Sequence, residues 1–275
     1  MKYNLSKDTD LTKKIKVLVY DLEVSPLLIW AYGTYDTNAL KVEKQSHIFC
    51  FSYGWLDVEN PEVMKVKCVA QYDFPARFKA DSYDDYDVVK SLYSLMEQAD
   101  ITLGYNVDGF DDKVSTTRFL YYNFKALSPH KSIDPLKTAR SKFKLPNNKL
   151  NTVAQYFGLG EKTTVTHSDL WYDCLLGSKK AWRDMKTYCN QDVVLVKDVY
   201  MKLRPYVRAH PNLATMSQRP DVCPTCLGTK FFSNGLRTTQ TMTYRRFVCA
   251  NCGATARERV SDKDAGFEKP TYVSV

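Results

Sequence analysis

Apolar residues change their period several times along the chain. "KVLVY" (16–20) is a continuous apolar run, the pattern of a strand buried on both faces. "HIFCFSYGWL" (47–56) and "EVMKVKCVA" (62–70) predict two further strands, joined by a turn at Asn60-Pro61. In "DDYDVVKSLYSLMEQ" (84–98), Val88, Leu92, Leu95 and Met96 fall at helical spacing. "ADITLGYN" then predicts a short strand running into a loop. A helix follows from about Asp112 to Lys125, with Asp111 and Asp112 suited to its positive N-terminal end. Another begins near Leu150 and ends at Gly158, and the longest spans 180–203, where Pro205 stops it. Three strands followed by strands alternating with helices predict an α/β fold, a mixed sheet flanked by helices. The pattern divides the chain into an arm (1–13), a main domain (14–204), a proline-bearing linker (205–221) and a small module with its tail (222–275).

Composition adds limits. The 275 residues are 44% hydrophobic, 25% charged and 13% aromatic, enough for a substantial core and unlike a disordered chain. No apolar run approaches the roughly 20 residues that cross a bilayer, and "MKYNLSKDTDLTKKIK" lacks the apolar stretch of a signal peptide. The expectation is a soluble protein of the reducing cytoplasm, with no membrane partner, where closely spaced cysteines bind metal rather than form disulfides. The net charge is +8, and half of that surplus lies after residue 217, where nine Lys/Arg face five Asp/Glu. Such an excess suits a polyanion such as nucleic acid.

Cys223, Cys226, Cys249 and Cys252 form two Cys-x2-Cys knuckles separated by 22 residues. Each knuckle turns two sulfurs toward one ion, and the pair completes a tetrahedral set, so one structural Zn²⁺ is expected, with iron the chemical alternative. The module resembles a zinc ribbon. Between its knuckles, Tyr244, Arg245, Arg246 and Phe247 interleave basic and aromatic groups, either to grip nucleic acid or as a solvated hairpin face. Cys50, Cys68, Cys174 and Cys189 are scattered and read as small core residues.

The candidate chemistry lies in three acidic segments. Asp21 and Glu23 end the most apolar strand two positions apart and therefore share a face. Two carboxylates about 4 Å apart repel by roughly 4 kcal/mol at an effective dielectric near 20, so they call for cations or a shared proton, and an all-oxygen set selects Mg²⁺ or Mn²⁺. "GYNVDGFDD" (104–112) lies between a strand and a helix. In "YCNQDV" (188–193), Tyr188 and Asp192 share one helical face.

In this order and on these elements, the three segments resemble the exonuclease motifs of the DEDDy branch of DnaQ-like 3′–5′ exonucleases. That group includes the proofreading domains of family B DNA polymerases and has a ribonuclease H-like fold. The resemblance covers roughly residues 14–204. With "HPN" and the terminal knuckles, the whole chain is similar to stand-alone members encoded by viruses of bacteria. It implies that Asp21 bridges two divalent ions, that Glu23 and Asp192 complete the site of one and that Asp111 holds the other. Tyr188 would orient the attacking water. Asp108 and Asp112 are rival ligands, and the register of the motif favours Asp111. Leu22, Asn106 and Phe110 match positions near the substrate; for Asn106 and Phe110 the plain alternatives are turn formation and core packing.

His167 reads either as a phosphate contact or as a structural histidine. Residues 132–149, with five Lys/Arg, read as a phosphate-tracking loop or a solvated face. The implied activity is two-metal 3′–5′ hydrolysis of single-stranded DNA, releasing nucleoside 5′-monophosphates, with a replication or repair protein as a possible partner of the ribbon. An RNA exonuclease, a structure-specific endonuclease and a binding module with a vestigial site are the competing readings.

Overall fold

The computed structural model describes residues 14–35, 38–161 and 169–258. The arm expected at 1–13, His167 and the end of the tail lie outside the described residues. The chain divides into two compact units, Lys16–Met201 and a second formed mostly by the chain from Lys202 onward.

In chain order the first unit runs β1 (Val17–Val24), β2 (Leu28–Trp30), β3 (Lys41–Lys44), β4 (Ile48–Leu56), β5 (Val66–Ala70), α1 (Pro75–Ala80), α2 (Tyr86–Met96) and β6 (Ile101–Leu103). It continues with α3 (Asp111–Tyr121), β7 (Lys131–Ile133), α4 (Pro135–Lys142), α5 (Leu150–Tyr156), α6 (Leu170–Leu175) and the long α7 (Lys179–Leu203). Five strands form the main sheet in the order β5-β4-β1-β6-β7. β1 pairs antiparallel with β4, and β4 with β5, whereas β1, β6 and β7 are parallel. This is the mixed, helix-flanked sheet that the alternation predicts.

β1 is central, which explains its uninterrupted apolar start. Leu18, Tyr20 and Leu22 enter a core with Val88, Val89, Leu92 and Met96 of α2 and Phe119 of α3. Each fully buried side chain of this kind contributes roughly 1.5–3 kcal/mol. The alternate positions Asp21 and Glu23 take the other face, where Cys189 of α7 meets them. A bulge follows: Glu23 pairs with Cys50 but Val24 with Ile48, leaving Phe49 as the extra residue. Ile48 and Phe51 consequently fill the α2 side, and Phe49 and Cys50 join Trp182, Met185 and Cys189 on the α7 side.

Several expected boundaries shift for identifiable reasons. The strand expected from residue 62 starts only at Val66, because Pro61–Val63 forms a 3-10 turn. The helix expected to reach Lys125 ends at Tyr121, where Asn123 adopts φ +58° and Phe124 N–H returns to the Phe119 carbonyl. Residues 132–149 are not one basic loop. They hold the end of β7 and then α4, whose first turn is capped by Asp134 accepting from Leu136 N–H at 3.0 Å.

The second unit holds a short α8 (Leu213–Met216) and a three-stranded antiparallel sheet of β8 (Phe231–Thr238), β9 (Thr243–Cys249) and β10 (Thr255–Arg257). The segment 205–221, expected as a linker, contains α8, capped by the Asn212 side chain, and Leu213 N–H donates to the Pro224 carbonyl at 2.8 Å. Among the described residues no helix is long and apolar enough to cross a membrane.

Candidate active site

The site begins where β1 runs out of apolar residues. Leu22 separates the two carboxylates, buries its own side chain in the α2–α3 core and presents its N–H toward α3. That side chain, 5% exposed, was expected at the substrate and lies in the core instead.

The second segment is shaped by backbone constraints. Gly104 ends β6 against β1: a Cβ there would lie 3.1 Å from the Tyr20 carbonyl and 2.9 Å from Val107 Cβ. Asn106 then turns the chain at φ +68°, and its carbonyl accepts from Gly109 and Phe110 N–H, both at 2.9 Å. A Cβ on Gly109 would come within 2.5 Å of Asn106 Oδ1, so a larger residue there would displace the Asn106 side chain. Asn106 thus has the turn-forming role. Phe110 does not pack in the core; it is 44% exposed beside the start of α3.

This turn launches α3 with Asp111 as its first residue, only 3% exposed, and Asp111 Oδ1 accepts from Leu22 N–H at 3.1 Å. The carboxyl of Asp111 is therefore held against the backbone between Asp21 and Glu23. Burial, opposed by backbone hydrogen bonds and reinforced by nearby Asp112 and Asp134, pushes its pKa up to about 7. A cation arriving there would reverse that shift. The rival acids are engaged elsewhere: Asp112 accepts from the Tyr20 hydroxyl at 2.5 Å, and Asp108 pairs with Lys137.

The third segment lies on α7. Cys189 Sγ donates to the Asp21 carbonyl at 3.5 Å, and Ser52 Oγ on β4 donates to Asn190 Oδ1 at 2.8 Å, so α7 is fixed across β1 and β4. At about 100° per residue, Asp192 and Tyr188 lie about 60° and 100° round the helix from Cys189, in the same direction. Asp192 is buried and Tyr188 half-buried. One sulfur of Cys189 and one oxygen each of Asp21 and Glu23 lie within 4.8 Å of one another. Cys189 is a buried core residue, as its scattered position predicts, and it meets the acid pair as well.

In the second unit the sulfurs of Cys223, Cys226, Cys249 and Cys252 also lie within 4.8 Å of one another. Cys223 and Cys252 are 3.7 Å apart, Cys226 and Cys249 3.6 Å. A tetrahedral ion with metal–sulfur bonds of about 2.3 Å needs sulfurs about 3.8 Å apart, so the set fits Zn²⁺ without rearrangement. Thr225, Gly228 and Ala254 N–H donate to Cys223, Cys226 and Cys252, each at 3.4 Å. These amides favour thiolates. Hydrogen bonds from Cys223 and Cys252 hold Cys226 far below a thiol's usual range.

A family model described as the RNase H superfamily matches residues 34–204, a span that includes Asp111, Tyr188 and Asp192 and starts after Asp21 and Glu23. No curated protein matches. Among solved structures, the family B DNA polymerase from the hyperthermophilic archaeon Pyrobaculum calidifontis is similar, with 16% identity and a TM-score of 0.49 over 70% of this chain and 25% of that one. The chain thus spans about a quarter of that polymerase's length.

Proposed function

This chain belongs to the RNase H superfamily, and from that premise we propose that it is a nuclease of the DEDDy kind, a two-metal 3′–5′ exonuclease acting on single-stranded DNA. One observation carries the reading. Asp111 is bonded to the backbone N–H between Asp21 and Glu23, while α7, which bears Tyr188 and Asp192, is anchored on Asp21. Asp111 and α7 thus both meet β1 at its acidic end, and buried or half-buried carboxylates held near one another need cations or protons to offset their repulsion.

Asp21, Glu23, Asp111 and Asp192 would hold two Mg²⁺ or Mn²⁺ ions, which supply a hydroxide near neutral pH and neutralise charge on the phosphate. The chain supplies position. The Tyr188 hydroxyl orients the attacking water, and the exposed Phe110 ring offers a stacking face for the terminal base. Lys137, Arg140 and Lys142 on α4 are exposed, as phosphate-tracking groups must be. The second unit acts as a zinc ribbon that grips nucleic acid or docks a replication or repair protein, consistent with its surplus of positive charge.

The test uses 5′-labelled DNA and RNA oligonucleotides with Mg²⁺ or Mn²⁺, comparing the native chain with Asp21→Ala. Ladders shortening from the 3′ end are expected, with DNA preferred and the rate reduced more than about 100-fold by the substitution. Products of one internal length would replace this reading with an endonuclease. Absence of cleavage with any metal, together with tight binding through the ribbon, would replace it with a recruitment module.

A further inference from the structure

We propose that Cys189, Asp21 and Glu23 form a site for a thiophilic divalent cation of the Zn²⁺ or Cd²⁺ class, distinct in its donor set from the all-oxygen sites that Mg²⁺ uses. Its effect on cleavage rests on the exonuclease reading; the binding itself rests on geometry alone.

The three donors come from two elements. Cys189 reaches from α7 to β1, where the alternation of the strand turns Asp21 and Glu23 to the same side, and one sulfur and two carboxylate oxygens lie within 4.8 Å of one another. An ion with bonds of about 2.3 Å to sulfur and 2.0–2.2 Å to oxygen needs donor separations of about 3.3–3.8 Å. The required contraction is at most about 1.5 Å, within reach of the rotatable Asp and Glu side chains. Mg²⁺ is a hard ion that selects oxygen, so it leaves the sulfur out; Zn²⁺ and Cd²⁺ accept both donor types.

The thiol is buried and now donates to the Asp21 carbonyl at 3.5 Å. Capture of the ion replaces that proton: the thiol loses H⁺ to solvent and its sulfur bonds the metal, so no oxidant or reductant is required. Cys50 on β4 and Cys68 on β5 pack in the same core cluster as Cys189, so the neighbourhood is rich in sulfur behind the carboxylates. A soft ion is therefore drawn toward the α7 side of the acid pair. Asp21 and Glu23 cannot serve that ion and the hard ions together, so Zn²⁺ inhibits in competition with Mg²⁺.

The experiment titrates the full-length protein with Cd²⁺ in the absence of Mg²⁺ and follows sulfur-to-metal charge-transfer absorbance. Native protein is compared with Cys189→Ser, Cys189→Ala and Asp21→Asn. Exchange into the four-cysteine cluster contributes equally to every variant, so the difference reports Cys189. The native chain is expected to take up one more Cd²⁺ than either cysteine variant, and Asp21→Asn to weaken that extra ion at least about tenfold. In a parallel assay, Zn²⁺ is added to Mg²⁺-driven cleavage by the native chain and the two cysteine variants, each against its own Mg²⁺ rate. Half-inhibition of Cys189→Ser is expected at a Zn²⁺ concentration at least about tenfold higher than for the native chain. Equal stoichiometry and absorbance in all four proteins overturns the site. Absence of any cleavage sinks the exonuclease reading and leaves the Cd²⁺ stoichiometry to decide this one.

Discussion

His47 shows how a single residue's surroundings make stability depend on pH. The imidazole is buried at the start of β4, with Ser25 Oγ 2.7 Å from Nδ1 and Gln71 Oε1 3.1 Å from Nε2. This network fits the neutral ring with its proton on Nε2. Burial lowers the pKa, and the charge of Asp85 only partly opposes it. Because the folded value lies below the unfolded one, near 6.5, the stabilising contribution is complete above that pH and is lost as pH falls through the folded pKa. Tm measured from neutral pH downward should therefore fall more steeply below about pH 6.5 in the native chain than in His47→Gln. Parallel curves would mean that folding leaves the imidazole's proton affinity unchanged. The sequence marked His47 only as the edge of an apolar run, because burial and partners from residues 25 and 71 are tertiary facts. Asp111 was legible among three neighbouring acids only through the register of its motif. The physical reason, that Tyr20 and Lys137 occupy Asp112 and Asp108, needed the fold.

At the scale of elements, α2, α3 and β4 are joined by one buried charge. Asp85, just before α2, accepts from Ile48 N–H and the Tyr122 hydroxyl, both at 2.8 Å, and pairs with Arg118 of α3. The Asp85 side chain is fully buried and that of Arg118 only 11% exposed, so solvent screening is weak. Arg118→Ala leaves the carboxylate buried without its cation, and urea denaturation should show a loss of roughly 3–5 kcal/mol. A loss below about 1 kcal/mol would place the pair among screened surface contacts. None of these contacts was visible in the sequence, whereas the elements they join were. α7 was legible to within a residue because seven turns of helical periodicity end at Arg204-Pro205. β2, β3 and β7, with three or four residues each and mostly exposed faces, are too short to show a period. α4 and α8 carried readable signals, Asp134-Pro135 and Pro211-Asn212, which a reading based on apolar spacing passes over.

On the scale of the whole chain, two kinds of stability coexist. The first unit buries large apolar side chains on both faces of its sheet. In the second, the core around the knuckles consists of Cys223, Cys226, Cys249 and Ala254, with Phe231 and Cys252 packed against it, and β8 is exposed along nearly its whole length. So small an apolar core cannot offset the entropy of ordering several tens of residues, at about 1.5 kcal/mol each. On the zinc-ribbon reading proposed above, four sulfurs closing on an ion would supply the folding energy, a contribution of about 10–16 kcal/mol for sites of this class. Chelation should therefore separate the two units. After a strong Zn²⁺ chelator is added, trypsin should cut at Lys230, Arg245 and Arg246, sites that the untreated chain should resist. A resistant fragment covering most of Lys16–Met201 should remain, with its own thermal transition, identified by mass spectrometry. Persistence of resistance at those three sites would show that the unit holds together without metal. Simultaneous digestion of the first unit would show that its apolar core does not suffice alone.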